Sequence, residues 1–155
     1  MPLPESLAGR LATQLESLKL VLGNATPAEL KAHPKSGKWS AHENLAHLVQ
    51  HHRATMARIR RILEEDCPEL PSYSAEKDPD WPALSAESTE EVLHELWTAR
   101  QEMIVLTADL SLEQLSRIGI HPAFGPITLA RWLVFFLIHE AHHLYVIMNR
   151  ARGRE

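Results

Sequence analysis

The stretch of sequence that decides the fold spans residues 135–147 and reads FFLIHEAHHLYVI. Its apolar residues recur at helical spacing, so we predict a largely buried helix. At 100° per residue, His139 and His143 lie one turn apart on one face of this helix. His142 falls on another side, which we expect to be exposed. The apolar residues that share the face of the histidine pair are Trp132, Phe135, Val146 and Ile147.

Two imidazoles one turn apart can act as two ligands of a single metal ion. The alternative is a pair of core histidines bonded to the backbone or to water, and the pair alone leaves both open. The same letters match the H-E-x-x-H string of zinc proteases. In the extended protease motif the third ligand lies six residues after the second histidine, which here is Asn149, and Val146 replaces a glycine. We therefore disfavour a protease.

Four long helices are predicted along the chain, and we find no convincing strand. Capping boxes mark the beginning of two of them, with Ser40 paired to Glu43 and Ser88 paired to Glu91. The pattern predicts an all-α protein. The approximate bounds of the helices are Glu5–Leu22, Ser40–Glu65, Ser88–Asp109 and Ile127–Arg150.

The connector between the second and third helices, from Asp66 to Ser88, contains four prolines and is predicted to be irregular. About 20 extended residues can span the ~37 Å of a helix of roughly 25 residues. The third helix could therefore run parallel to the second after a crossover. A connector of this length could also form the wall of a pocket.

Length and composition indicate a single domain over residues 1–155 of the 155-residue chain. The net charge of −4 gives no electrostatic footprint for nucleic acid. A single cysteine, Cys67, rules out an internal disulfide and suits a reducing compartment. The N-terminal residues show no signal-peptide pattern, and the apolar run Ile127–Ile138 is too short to span a membrane. We expect a cytoplasmic protein without nucleic-acid or membrane partners.

The second helix is a further source of imidazole. It carries His47 and His51, another pair one turn apart, together with His42 and His52. A third ligand for the metal site could therefore come from this helix. Between residues 127 and 138 the fourth helix is apolar around most of its circumference. Packing in the bundle requires only one apolar face, so the additional apolar surface favours a homodimer.

With these residues placed, the chain resembles the DinB-like (DinB/YfiT-like) superfamily of metalloenzymes. Two segments carry the resemblance, WSAHENLAH at residues 39–47 and FGPITLARWLVFFLIHEAHH at residues 124–143. The resemblance implies a four-helix bundle with up-down-down-up topology. It also implies a divalent metal, with zinc or nickel expected, bound by His47, His139 and His143.

Characterised members of the superfamily include transferases and isomerases that use a low-molecular-weight thiol. The resemblance therefore implies a metal-dependent thiol S-transferase or isomerase acting on a small-molecule substrate. Glu140 and His51 are candidates for accepting protons or orienting a ligand imidazole. For Glu140, a charge on the helix surface is the alternative. For the whole chain, the alternative is a non-catalytic metal-binding or stress-related dimeric bundle.

Overall fold

Side-chain caps set where the helices begin. The Ser40 hydroxyl accepts a hydrogen bond from the Glu43 N–H at 3.1 Å, and the Glu43 carboxylate accepts one from the Ser40 N–H at 2.8 Å. Each bond satisfies a backbone donor that has no partner within the helix. The predicted capping boxes are thus confirmed. The same arrangement is found at Thr26 with Glu29, Ser88 with Glu91, and Ser111 with Gln114.

The structure is a computed structural model that describes residues 3–155; Met1 and Pro2, which the predicted domain includes, lie outside the described residues. The first long segment is not one helix as predicted, because a 3₁₀ turn at Gln14–Ser17 separates α1 from α2. The fourth long helix begins at Leu129, two residues later than predicted, with Thr128 as its cap. The helices are α1 Glu5–Thr13, α2 Leu18–Leu22, α3 Pro27–Lys31, α4 Ala41–Glu64, α5 Trp81–Ala86, α6 Thr89–Thr107, α7 Leu112–Ser116 and α8 Leu129–Arg150.

Contacts between the helices fix their directions. Residue numbers rise together along α4 and α6, so these two helices are parallel, whereas α4 and α8 are antiparallel. The first segment (α1 and α2) runs parallel to α8. For α4 and α6 the contacts are His42–Thr89 and His52–Arg100. For α4 and α8 they are Asn44–His143 and Arg58–Trp132. For the first segment and α8 they are Gln14–Leu137 and Val21–Arg152. The chain is therefore a four-helix bundle with the expected up-down-down-up topology.

The core lies between α4 and its two neighbours, α6 and α8. Each fully buried Leu, Phe or Ile side chain contributes roughly 1.5–3 kcal/mol relative to exposure, so this packing holds α4 and α8 in a fixed register. The largest fully buried apolar side chains, two of them from the first segment, are Trp132, Phe136, Leu11, Leu15, Leu45, Leu48, Ile59, Ile62, Leu96, Met103 and Leu129. In residues 3–155 we find no helix whose length and hydropathy would let it cross a membrane.

A β-hairpin precedes α8, so the expectation of no strand was wrong. Strands β1 (Ile118–His121) and β2 (Gly125–Thr128) pair antiparallel. Sequence reasoning missed the strands because each has only four residues and is interrupted by glycine or proline. Gly119 is needed for packing, because a Cβ at this position would lie 2.8 Å from the side chain of Ile62 on α4.

The proline-rich connector is also more ordered than predicted. It contains a 3₁₀ turn at Ala75–Lys77 and the helix α5. Its beginning is attached to the hairpin by two hydrogen bonds, from the Leu70 N–H to the Ile120 carbonyl at 3.1 Å and from the Ile120 N–H to the Pro68 carbonyl at 2.9 Å. The connector and the hairpin therefore form one layer against the bundle.

Candidate metal centre

Three imidazoles converge between α4 and α8. His47 comes from α4, and His139 and His143 come from α8. Their ligand atoms all lie within 4.8 Å of one another. The Nε2 atoms of His47 and His139 are 3.4 Å apart. Two nitrogens bound to one tetrahedral zinc at about 2.0–2.1 Å would be roughly 3.3 Å apart, so the observed spacing fits a shared ion.

The orientation of His143 is fixed by Asn44, which lies one turn before His47 on α4. The Asn44 amide donates to the Ser40 carbonyl at 2.7 Å, which turns its oxygen toward His143. The Nδ1 of His143 lies 2.8 Å from that oxygen and must donate to it. The Nε2 of His143 therefore carries the lone pair that a metal ion needs.

Burial keeps all three rings neutral. It lowers the pKa of His47 and of His139 to about 4 and that of His143 to about 2, because a charged imidazolium loses hydration in this environment. Neutral imidazole is the form that binds metal. The Nδ1 atoms of His47 and His139 are buried without a hydrogen-bond partner among residues 3–155. Of the three rings, only His143 has its Nδ1 bonded to another side chain within these residues.

His51 lies next to the three histidines. Its ring stacks on that of His139, with centroids 3.8 Å apart, and on that of Phe136 at 5.3 Å. Burial lowers the pKa of His51 well below its ordinary value, and its Nδ1 has no partner in the described part of the chain. The ring is therefore a neutral base beside the site.

Glu140 lies in the core and away from this cluster, so the alternative of an exposed surface charge was wrong. Its carboxylate accepts hydrogen bonds from Arg100 and, at 2.8 Å, from Gln14. The Arg100 Nε also donates to the Nε2 of His52 at 3.1 Å. Burial raises the pKa of Glu140, and the Arg100 guanidinium opposes that shift. The H-E-x-x-H string therefore does not place a glutamate at the metal position, and this arrangement gives Glu140 a structural role.

A pocket of about 240 Å³ is lined by two of the three histidines, His47 and His139. It is lined by residues from α4, the connector, the hairpin and α8, including His47, His51, Arg58, Tyr73, His121 and His139. A larger cavity of about 670 Å³ lies beside the C-terminal residues 150–155 and contains none of the three histidines. The smaller pocket is the one that combines space with candidate ligands.

The connector supplies part of the pocket wall, as its length had suggested. Tyr73 stacks against His47 at 6.3 Å, and Trp81 packs against Trp39, which in turn contacts His47. Sequence reasoning missed Asn44, although its position one turn from a histidine was a usable signal. It also missed the roles of connector and hairpin residues, because no helical periodicity relates them to the histidines.

Comparisons with known proteins agree with this architecture. A protein of Oceanobacillus iheyensis named "Putative metal-dependent hydrolase OB0782" is 24% identical over 151 residues, which cover 92% of this chain and 84% of the relative. The structure of YfiT from Bacillus subtilis, described as a probable metal-dependent hydrolase with an unusual four-helix bundle topology, superposes with a TM-score of 0.80 at 22% identity, over 97% of this chain and 88% of YfiT.

A second solved structure, the four-helix bundle protein TT2238, superposes with a TM-score of 0.67 at 26% identity, over 92% of this chain and 95% of TT2238. The sequence profile of the DinB superfamily matches residues 10–147, a span that contains the three converging histidines and covers most of the four long helical segments of the bundle. The chain therefore belongs to the DinB superfamily.

Proposed function

We propose that the protein is a divalent-metal-dependent enzyme that transfers a low-molecular-weight thiol to a small electrophile. The observation that carries this proposal is the group of three neutral imidazoles, two of which, His47 and His139, line a pocket. Three protein ligands leave a coordination position open for a small molecule, whereas structural zinc sites have four. An ion held by His47, His139 and His143 would lower the pKa of a thiol or water that it binds.

The residues of the pocket favour a thiol over water as the nucleophile. No carboxylate lines the pocket within residues 3–155, and Glu140, which would be the general base in an H-E-x-x-H protease, is bound to Arg100 in the core. A coordinating thiol is deprotonated by the ion itself and has less need of such a base. The family resemblance supports the same choice, since characterised members of the superfamily include thiol-dependent transferases and isomerases.

In the proposed reaction, the sulfur attacks an electrophilic carbon, a carbon–sulfur bond forms, and the leaving group departs with its bonding electrons. The thiol proton passes to the neutral ring of His51 and then to solvent. Tyr73 and Phe135 form part of the pocket wall. We place this activity in the cytoplasm, where low-molecular-weight thiols are kept reduced.

Metal-dependent hydrolysis is the second candidate. The names given to the relatives from O. iheyensis and B. subtilis support it. One observation on this chain also favours it, since the unprotonated ring of His51 next to His139 could accept a proton from water. A non-catalytic metal-binding bundle is the remaining alternative.

Metal content and two parallel activity assays test the proposal. Protein purified without a histidine tag is analysed for bound metal, loaded with zinc or nickel, and assayed with a panel of physiological thiols and 1-chloro-2,4-dinitrobenzene. Hydrolysis of p-nitrophenyl acetate is followed in parallel. We expect thiol conjugation that His143→Ala abolishes and that the exposed control His142→Ala retains. Hydrolysis alone would favour the second candidate, and no turnover by metal-loaded protein would favour a binding role.

A further inference from the structure

The pocket contains a cation that the proposed chemistry does not use. Arg58 lies eleven residues after His47 on α4, which returns it to the same face of the helix. Its side chain is half-buried and lines the pocket. The guanidinium carbon lies 5.3 Å from the centre of the Trp132 ring, and one terminal nitrogen donates to the Pro71 carbonyl at 2.8 Å. Stacking and this bond hold the guanidinium in place and leave further N–H donors available.

No carboxylate neutralises Arg58. In the described residues, no Asp or Glu oxygen lies within 4.0 Å of its guanidinium, whereas two exposed arginines of the same helix have such partners: Arg53 pairs with Glu95 and Arg61 pairs with Glu65. Burial also lowers the pKa of Arg58, so its positive charge is held there at a cost in hydration. A half-buried cation without an anionic partner is best satisfied by an anion that enters the pocket.

His121 adds a second donor. Its Nδ1 accepts hydrogen bonds from the backbone N–H groups of Ala123 at 3.0 Å and Phe124 at 3.2 Å in the hairpin turn. The hydrogen of the neutral ring must therefore lie on Nε2. Burial and the nearby charge of Arg58 lower the pKa of His121, which favours this neutral form. The ring lines the same pocket as Arg58.

We propose that Arg58 and His121 form an anion subsite, so that the molecule bound at the three histidines carries a carboxylate or a similar oxyanion at its other end. This inference rests on the proposed function for the position of the reacting end. A planar guanidinium with a neighbouring N–H donor matches two oxygens of a carboxylate. The pocket volume of about 240 Å³ restricts the substrate to a small molecule, since drug-sized ligands occupy roughly 300–1,000 Å³.

Matched thiols test the subsite. Binding of 4-mercaptobutyrate, 3-mercaptopropane-1-sulfonate and the neutral 4-mercapto-1-butanol is measured on cobalt-loaded protein by the change in its visible absorption. We expect the wild-type protein to bind the anionic thiols at least about tenfold more tightly than the alcohol. A charge-assisted hydrogen bond from Arg58 to the oxyanion is strong enough to account for this factor. A higher affinity for the carboxylate than for the sulfonate identifies the oxyanion, and either preference supports the subsite.

Variants assign the preference to Arg58. Arg58→Gln should bring the affinity ratio of the anionic to the neutral thiol close to one with little change for the alcohol, and Arg58→Lys should retain part of it. Arg60→Gln, at an exposed position of the same helix, is the matched control and should behave as wild type. Equal ratios in wild type and Arg58→Gln would overturn the proposal. Melting curves check that each variant folds.

A metal-free arm separates the two proposals. If cobalt, zinc and nickel all fail to bind, the proposed function fails. The same thiols are therefore also titrated into metal-free protein and followed by saturation-transfer NMR. A preference for the anionic thiols that disappears in Arg58→Gln supports the subsite without any metal, and the lack of such a preference overturns it.

Discussion

Asn44 and His143 face each other across α4 and α8, with 2.8 Å between the amide oxygen and the ring Nδ1. Asn44 is itself buried and bound to the Ser40 carbonyl, at the first turn of α4. The helix cap, the amide and the imidazole thus form one chain of contacts that begins at the N-terminus of α4. Through it, the beginning of one helix sets which nitrogen of a histidine on another helix is available to a metal ion.

Removing the Asn44 amide should weaken metal binding without removing a ligand. We expect Asn44→Ala to raise the dissociation constant for zinc by roughly 10–100-fold, which is typical for loss of a hydrogen bond to a ligand histidine. Asn44→Asp retains an acceptor and should bind zinc more tightly than Asn44→Ala. Competition with a chromophoric chelator measures both constants. Unchanged affinity in Asn44→Ala would show that the hydrogen bond does not orient His143 for metal.

The two adjacent histidines of α8 should behave differently. His143 is part of the converging set, whereas His142 is exposed. We expect His143→Ala to lose bound zinc and His142→Ala to keep the wild-type stoichiometry, as measured by elemental analysis after dialysis. Equal loss in both variants would mean that the helical phase of the site is wrong.

How much of this site the sequence predicts depends on what positions each residue. His139 and His143 follow from helical spacing alone, because residues four apart share a face. Spacing gives no such link between His47 and the pair on α8, and its place among the ligands came from the family resemblance. Arg58 and His121 could not be placed, because their meeting depends on how the hairpin and the connector fold over α4.

Helical phase also shows the limit of a motif. Glu140 directly follows His139, and the sequence left two roles open for it, a group that accepts protons or orients a ligand imidazole and a charge on the helix surface. The sequence alone does not reveal that Arg100, from another helix, lies against Glu140. A buried carboxylate needs such a partner, and the partner is brought there by the parallel packing of α4 and α6. The H-E-x-x-H string therefore matched in letters but not in structure.

The Arg100–Glu140 pair should matter for stability rather than turnover. We expect Glu140→Met to lower the free energy of unfolding by about 3–5 kcal/mol, because it leaves the Arg100 charge buried without its partner. The double variant Arg100→Met/Glu140→Met should lose less than the two single losses added together, since it removes both charges. Urea denaturation of metal-free protein measures these values. Additive losses would indicate that the two charges do not interact.

The free energy of unfolding of the metal-free protein should decrease as the pH is lowered below about 6.5. Burial lowers the pKa of His52 to about 3, so the ring stays neutral in the folded state where the unfolded chain binds a proton. Its contribution is therefore fully present above pH 6.5 and is lost as the pH falls from there toward 3. Each such histidine adds a slope of ~1.4 kcal/mol per pH unit within this window.

The His52→Gln variant isolates that contribution. Urea titrations of wild type and variant at pH 6.5, 5.5 and 4.5, all with a chelator, give the dependence of unfolding free energy on pH. The slope of unfolding free energy against pH should be smaller in the variant by ~1.4 kcal/mol per pH unit, which corresponds to the uptake of one proton fewer on unfolding. This difference should hold whatever the absolute stability of the variant. Identical slopes would show that His52 is not held neutral in the folded state.

A homodimer remains a prediction, and exposed apolar residues of α8 mark the face on which we expect it to form. Val134, Ile138 and Tyr145 are 41%, 56% and 61% exposed, and their spacing places them within 40° of one another on the outer face of α8. An exposed apolar stripe on a helix is typical of a surface that pairs with another copy. We expect light scattering at high micromolar concentration to give the mass of a dimer.

Ile138→Glu should give a monomer, because it places a charge in the centre of the stripe, whereas Leu20→Glu, at a position 79% exposed on α2, should leave the dimer intact. A monomeric wild-type protein, or a dimer that survives Ile138→Glu, would exclude this face as the interface.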